Sequence, residues 1–396
     1  MSATHKNSKL RILVLGYVVR RPLGGGVWPT MQYVLGLLRL GHDAWFLEDS
    51  EDYGTCYDPT RHVTDEDPTY GLQFATRVFA DHGLEDRWAY YDAHKNHWHG
   101  PCASRIDELC ATADLVINAS AFNPIRSWLE QVPHRAYVEF DPAFEQIRQI
   151  TDKDRRERAR KHTTFFTYGV NIGRGTAHVP LDGVPWHGLH QPVVMDCWRA
   201  TPGSENGKFT TVMLWQSYPP QEYQEFRFGL KSDSFPPYLD LPRRSGKPLE
   251  MAVGGPNVPR QKLREHGWSL VNPLEPTKDP ESYQEYLRAS KGEFTVAKHG
   301  YVVSRCGWFS ERSMHFMASG RPVITQETGF SDWLPVGDGV FAFSTPEEAM
   351  DALEEVDRNY EHHCRAARAV AEEYFDSDKV LPRFLELAMK PTPIED

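Results

Sequence analysis

The run from Gly307 to Phe330 constrains this chain more than any other, because it reads as loop, helix, turn, buried strand and polar loop in immediate succession. Ser310 stands where a helix N-cap is favoured, and the helix after it closes at Gly320, a residue suited to the left-handed position beyond a helix end. Pro322 blocks continuation, and Val323, Ile324 and Thr325 then form a short β-branched strand. A helix delivering into a buried strand belongs to an open α/β sheet, in which ligands bind beyond the carboxyl ends of the strands. The helix start adds a chemical expectation. Its first N–H groups lack intrahelical partners, and Arg312 in the first turn opposes the helix dipole unless an anion is present. Ser310, Arg312 and Ser313 therefore read as a phosphate-binding helix start.

Strand and helix alternate through the rest of the chain, whose 396 residues predict two or three domains. The opening is βαβ: a strand over 11–16, a loop holding Gly24, Gly25 and Gly26, a helix from about Pro29 to Leu40, and a strand over 43–48. Met31, Val34, Leu35 and Leu38 recur at helical spacing, with Gly41 as the stop. Further strands are expected over 114–118, 135–140 and 163–168. Residues 176–204 are irregular and rich in Pro and Gly, which suits a crossover between domains. A second series follows over 209–215, 249–254, 268–271, 293–297 and 322–325. A helix over 360–374 and a segment over 380–389 complete the chain. The expected division is 1–185 for an acceptor-side Rossmann-like domain and 186–375 for a nucleotide-sugar-binding one, with 376–396 lying back on the first and only 391–396 loose.

Composition narrows the function classes. A charged fraction of 25% and a mean hydropathy of −0.56 describe an ordinary soluble protein, and no apolar run approaches the ~20 residues of a membrane span. The polar start leads directly into the first strand without a secretory signal pattern, so a cytoplasmic location is expected. The six cysteines include no C-x-x-C pair and suit reduced, mostly buried thiols. A net charge of −11 repels nucleic acid and acidic membranes. The basic stretch 152–162 is interleaved with acids and reads as a solvated helix face, with a nucleic-acid patch as its alternative.

The segment Ala318-Ser319-Gly320-Arg321-Pro322-Val323, with Gln326-Glu327-Thr328-Gly329-Phe330 and the later Ser344-Thr345-Pro346-Glu347-Glu348-Ala349, resembles the C-terminal donor domain of GT-B glycosyltransferases. In that family a small-Gly-x-Pro-Val segment follows a helix whose start holds the donor's diphosphate. The resemblance covers residues ~290–388 closely and the rest by layout. It implies an α/β, GT-B-like fold: two Rossmann-like doubly wound domains facing a central cleft, with the C-terminal helix crossing back. It also implies that Glu327, Thr328 and Gly329 touch the donor and that the Gly24-Gly25-Gly26 loop faces the cleft. One departure stands out. The best-known retaining members carry a pair of glutamates at the places held here by Gly307 and His315, so their stereochemistry is not carried over.

Asp141, at the carboxyl end of the strand expected over 135–140, is placed to accept a proton from an acceptor hydroxyl, or simply forms an Asp-Pro turn with Pro142. His187 and His190 in the crossover are weaker base candidates. Lys231 and Lys298 offer point charges to a diphosphate, against the ordinary fate of surface lysines. Trp308 either stacks on a base or packs the loop, and Glu311 is either a bystander or the salt-bridge partner of Arg312. Glu48 mimics the ribose-binding acid of a dinucleotide fingerprint, but the G-x-G-x-x-G pattern is missing. His94, His97, His99 and Cys102 match neither a zinc finger nor a helical His pair and read as a polar loop.

Together these expectations describe a transferase that moves a sugar from a nucleotide-sugar co-substrate to a small-molecule or glycan acceptor, with no cofactor and no metal. The alternatives are an epimerase or hydrolase on the same frame, and a non-catalytic nucleotide-sugar-binding protein.

Overall fold

The computed structural model describes residues 9–394; the expectations for residues 1–8 and for the last two residues of the tail lie outside the described residues. Arg11–Leu15 sits inside an eight-stranded sheet in the order His97–His99, Trp88–Asp92, Asp43–Asp49, Arg11–Leu15, Leu115–Ala119, His134–Glu139, Thr164–Thr167, Trp186–Gly188. Its pairings are parallel except for the hairpin of Trp88–Asp92 with His97–His99. Leu115–Ala119 is buried throughout, as expected of a parallel strand covered by helices on both faces. The second sheet has six parallel strands in the order Ser269–Val271, Leu249–Gly254, Phe209–Leu214, Gly292–Thr295, Val323–Gln326, Val340–Phe343. Each sheet grows outward in both directions from its first strand. That creates a switch point beside Arg11–Leu15 and another beside Phe209–Leu214, where loops diverge and leave a crevice.

The chain passes from the first sheet to the second after Gly188 and returns at its end. Val193 forms a parallel bridge with Asp376, accepting from Ser377 N at 2.9 Å while its own N–H reaches Phe375 O at 2.7 Å. This directs the helix Ser377–Ala388 across the N-terminal half. There Phe384 packs on Phe166 and Tyr33, Leu381 fills the space over Gly36, and Arg39 pairs with Asp378 at 3.0 Å. Among the described residues no helix is long and apolar enough to cross a membrane.

Three local expectations are corrected. The first helix begins at Gly24, not near Pro29, so the three glycines are its opening turn rather than a loop. A Cβ on Gly24 would stand 1.9 Å from the carbonyl oxygen of Asp279, and one on Gly25 3.0 Å from the Tyr283 ring. Docking against the start of the helix Pro280–Ala289 thus outweighs the low helix propensity of glycine. Within the proline-rich crossover, Trp186–Gly188 adds an edge strand, carrying the first sheet past the boundary expected at 185. The His94–Cys102 stretch is not a plain loop: it contains the strand His97–His99.

Candidate functional site

A cleft of about 820 Å³ opens between the carboxyl edges of the two sheets. Tyr17, Gly25 and Gly26 line it from the N-terminal half. They are joined by Tyr57, His62 and Thr64 from the two-stranded ribbon Cys56–Asp58 and Val63–Asp65. Val212 to Trp215, Lys231, Lys298, Trp308, Ser310, Glu311 and Arg312 line it from the C-terminal half. Of the residues singled out from sequence, the fold brings Gly25, Gly26, Lys231, Lys298, Trp308, Ser310 and Arg312 to one cavity. Gly24 is spent on the contact with Asp279, and Ser313 is fully buried with no partner for its hydroxyl.

The Glu327–Gly329 loop stands behind the wall instead of lining it. Thr328 Oγ1 donates to Trp308 O at 2.5 Å, the Glu327 carboxylate accepts from Gly329 N–H, and Gly329, at φ +89°, is held through its carbonyl by Asn171 Nδ2 at 2.9 Å. The loop therefore fixes the indole that faces the cleft. His190 is also structural: its ring stacks on Trp333 at 4.5 Å, Nδ1 donates to Tyr374 O at 3.1 Å, and burial lowers its pKa.

The cations of the cleft differ in how far their charge is already balanced. Arg312 is bound to Glu293, which is fully buried, and donates from Nη1 to Val212 O at 2.8 Å and from Nη2 to Thr295 Oγ1 at 2.9 Å. Burial opposes its charge and Glu293 more than restores it. Arg312 thus has an internal counter-ion, contrary to the expectation of a cation awaiting an anion. Lys298 meets Asp141 Oδ1 at 2.8 Å and the Tyr218 hydroxyl at 2.6 Å. Lys231 has neither. It is buried, it lines the cleft, and among the described residues its ammonium makes no hydrogen bond and no ion pair. Burial, followed by the nearby charge of Arg312, drives its pKa well below the ordinary lysine value. Arg21 and Arg260 add positive charge at the rim.

Two helix starts flank this group. Ser310 has the extended backbone of an N-cap, but its hydroxyl makes no capping bond, so the opening N–H groups of Glu311–Ala318 are left without that partner. Gly24–Arg39 likewise starts without a side-chain cap, and it presents Gly25 and Gly26 from the opposite side. The positive ends of two helix dipoles therefore border the cleft from its two walls.

Asp141 receives a part different from the general base expected of it. Its carboxylate accepts from the hydroxyls of Tyr218 and Tyr301 at 2.6 Å, from Lys298 Nζ at 2.8 Å and from Arg148 Nη1 at 2.9 Å. Burial favours its protonation, but Lys298 and Arg148 overcome that and hold it well below the usual carboxylate range. An acid so stabilised in its charged form, with its lone pairs filled, is a poor proton acceptor. Tyr218, Lys298 and Tyr301 belong to the C-terminal half and Arg148 to the N-terminal half, so Asp141 clamps the two together.

The remaining motifs resolve into structure. Glu48 accepts three backbone N–H bonds, from Val18 at 2.7 Å and from Val19 and Arg20 at 2.8 Å, and shapes the turn below Tyr17. The basic stretch forms the helix Lys153–Arg160, with Arg155 paired to Glu145 and Arg158 to Glu51. Among the described residues the only group close enough to share a metal ion is Asp338, His362 and His363, none of which lines the cleft. No sequence motif marks Tyr17 or the ribbon Cys56–Asp58 and Val63–Asp65 as cleft residues, and the pairing expected of Glu311 with Arg312 does not form because Glu293 takes its place.

No protein-family model matches the sequence, and no curated protein matches it. Solved structures do. An alpha-glucosyltransferase in complex with UDP-glucose and DNA containing an abasic site aligns over 97% of this chain and 100% of its own, with a TM-score of 0.59 and 10% identity. HepE of Anabaena in complex with UDP-glucose aligns over 95% and 98%, with a TM-score of 0.55 and 12% identity. AviGT4, a glycosyltransferase involved in avilamycin A biosynthesis, aligns over 96% and 97%, with a TM-score of 0.52 and 13% identity. Two doubly wound sheets facing one cleft, a C-terminal helix crossing back, and likeness over nearly the whole length to glycosyltransferases of that architecture place this chain in the GT-B fold.

Proposed function

We propose that the protein is a glycosyltransferase that moves a sugar from a nucleotide-sugar donor, held on the C-terminal wall of the cleft, to a hydroxyl of a small-molecule or glycan acceptor. The observation that carries this reading is the ammonium of Lys231, which belongs to a buried residue, lines the cleft and has no hydrogen-bond or ion-pair partner among the described residues. Such a group is costly unless something anionic offsets it, and a diphosphate between two helix starts does so. The similar structures solved with UDP-glucose support a nucleotide sugar as the ligand. As the bond to the sugar breaks, charge grows on the departing diphosphate, and preorganised cations and N–H groups stabilise it there. Lys231, with Arg312 and Lys298 behind it, supplies that charge without a divalent ion or cofactor.

Residues 49–67 carry seven acids, of which Asp49 and Asp52 pair with Arg126, Glu51 with Arg20 and Arg158, and Asp65 with Arg61, and the segment presents Tyr57, His62 and Thr64 to the cleft. The Tyr57 and Thr64 hydroxyls and the His62 ring suit a hydroxyl-rich acceptor, although several similar structures hold DNA. A cytoplasmic location belongs to the same proposal, in keeping with six free cysteines, four of them buried. The test is nucleoside diphosphate release from nucleotide sugars, with and without an acceptor library. Release that depends on acceptor and survives chelation by EDTA is expected. Conversion of donor alone at the same rate would make the protein a hydrolase or epimerase, and no conversion under any condition a binding protein.

A further inference from the structure

Among the described residues lining the cleft, Glu311 is the only carboxylate and His62 the only histidine. His62 is exposed, in the turn of the ribbon at φ +54°, away from the floor. Glu311 opens the helix Glu311–Ala318 on the floor itself, facing both the main cleft and a small cavity beneath it lined by Gln32 and Tyr168. Its carboxylate makes no hydrogen bond or ion pair among the described residues. The other acids near the cleft are engaged: Asp141 by four donors, Glu48 by three N–H groups, Glu293 by Arg312. Glu311 looks across to Tyr17 of the N-terminal half. Burial first and the Glu311 charge second push that phenol up to about 12. An unoccupied carboxylate that shares the cleft with Lys231 and lies within electrostatic reach of Lys231 and of Tyr17 on the other wall can take the proton an incoming hydroxyl has to shed.

We infer that Glu311 is a catalytic residue that takes the acceptor's hydroxyl proton, an assignment that rests on the transferase reading above. In the step, the acceptor O–H bond breaks and its proton passes to a carboxylate oxygen of Glu311. A bond forms between the acceptor oxygen and the anomeric carbon, and the bond from that carbon to the diphosphate breaks, its electron pair leaving on the diphosphate beside Lys231. No oxidant or further reactant is needed.

The experiment compares Glu311→Gln and Glu311→Ala with wild type, by calorimetry for donor binding and by transfer kinetics. Donor affinity within threefold of wild type shows that the fold and the donor site are intact. The expected result is then a fall in kcat of about 100-fold or more in both variants with little change in acceptor KM, and partial recovery of Glu311→Ala, not Glu311→Gln, by added formate. A Glu311→Gln enzyme within threefold of wild-type kcat would overturn the assignment, as would a loss confined to donor affinity. Failure of the transferase reading looks different: wild type itself then shows no acceptor-dependent turnover.

Discussion

His162 spends both ring nitrogens in its neutral form. Nδ1–H donates to Ala159 O at 3.2 Å, and Nε2 accepts from Asn118 Nδ2 at 3.0 Å. A second proton would face the Asn118 amide, and burial already lowers the pKa to about 4. The folded protein therefore refuses, between pH ~6.5 and ~4, a proton that the unfolded chain accepts, so stability falls as pH drops through that window and this contribution is flat below it. His315, stacked on Trp198 at 4.1 Å and lowered to about 3, acts in the same direction. From pH 7 to 4.5 the His162 contribution is ~2 kcal/mol, and chemical denaturation should show a smaller acid loss in His162→Gln than in wild type. Equal losses would contradict the hydrogen-bond assignment. At this scale the sequence was informative about charge and silent about partners. Lys231, Lys298 and Arg312 were all visible as cations, but only the fold shows Glu293 beneath Arg312 and Asp141 on Lys298, which leaves Lys231 alone.

Glycine is read differently once its surroundings are known. Gly24 and Gly26 share the first turn of one helix, yet a Cβ on Gly24 meets backbone at 1.9 Å, whereas one on Gly26 finds its nearest neighbour at 3.9 Å. Gly24→Ala should cost ~2 kcal/mol or more by forcing the helix off Asp279, while Gly26→Ala should be neutral or stabilise by ~0.5 kcal/mol through helix propensity. Thermal midpoints of the two variants test this, and a similar shift in both would remove the contact as the reason for the glycines. Elements with strong local grammar were legible: Leu249–Gly254 and Tyr360–Tyr374 lie where buried apolar runs and helical periodicity put them. Trp186–Gly188 and the ribbon at Cys56–Asp58 were not, because three residues amid prolines or acids carry no period and owe their strand character to a neighbour. The Gly320-Arg321-Pro322 turn gained a second meaning. Arg321 is buried and donates only to neutral acceptors, among them Arg288 O at 2.6 Å and Thr201 O at 3.0 Å, so it ties the crossover to the end of the cleft helix.

Polar contacts between the two halves gather at two places: Asn171, which donates to Arg305 O, Gly329 O, Asp332 and Cys306 O, and the charged cluster around Asp141. Asp141→Asn keeps the shape but removes the charge, leaving Lys298 and Arg148 facing a neutral group. The expected cost is ~3 kcal/mol, with faster proteolytic nicking in the crossover after Gly188. Unchanged nicking and thermal midpoint would show that the halves are held without the Asp141 charge, by the Asn171 hydrogen bonds, apolar contacts and the C-terminal helix. Architecture was the most legible scale, because a helix-to-strand unit at 307–325 and a βαβ opening both demand parallel sheets. What the cleft contains was the least, since it depends on side chains more than two hundred residues apart, such as Tyr17 and Lys231. Donor binding in this cleft depends on that lysine. Calorimetry of UDP, GDP, dTDP, ADP, CMP and their sugar derivatives, on wild type and Lys231→Met, tests it most directly. Selective binding of one nucleotide series is predicted, with ~10- to 100-fold weaker binding in a well-folded Lys231→Met. Binding of no nucleotide, or equal affinity in the two proteins, would contradict it.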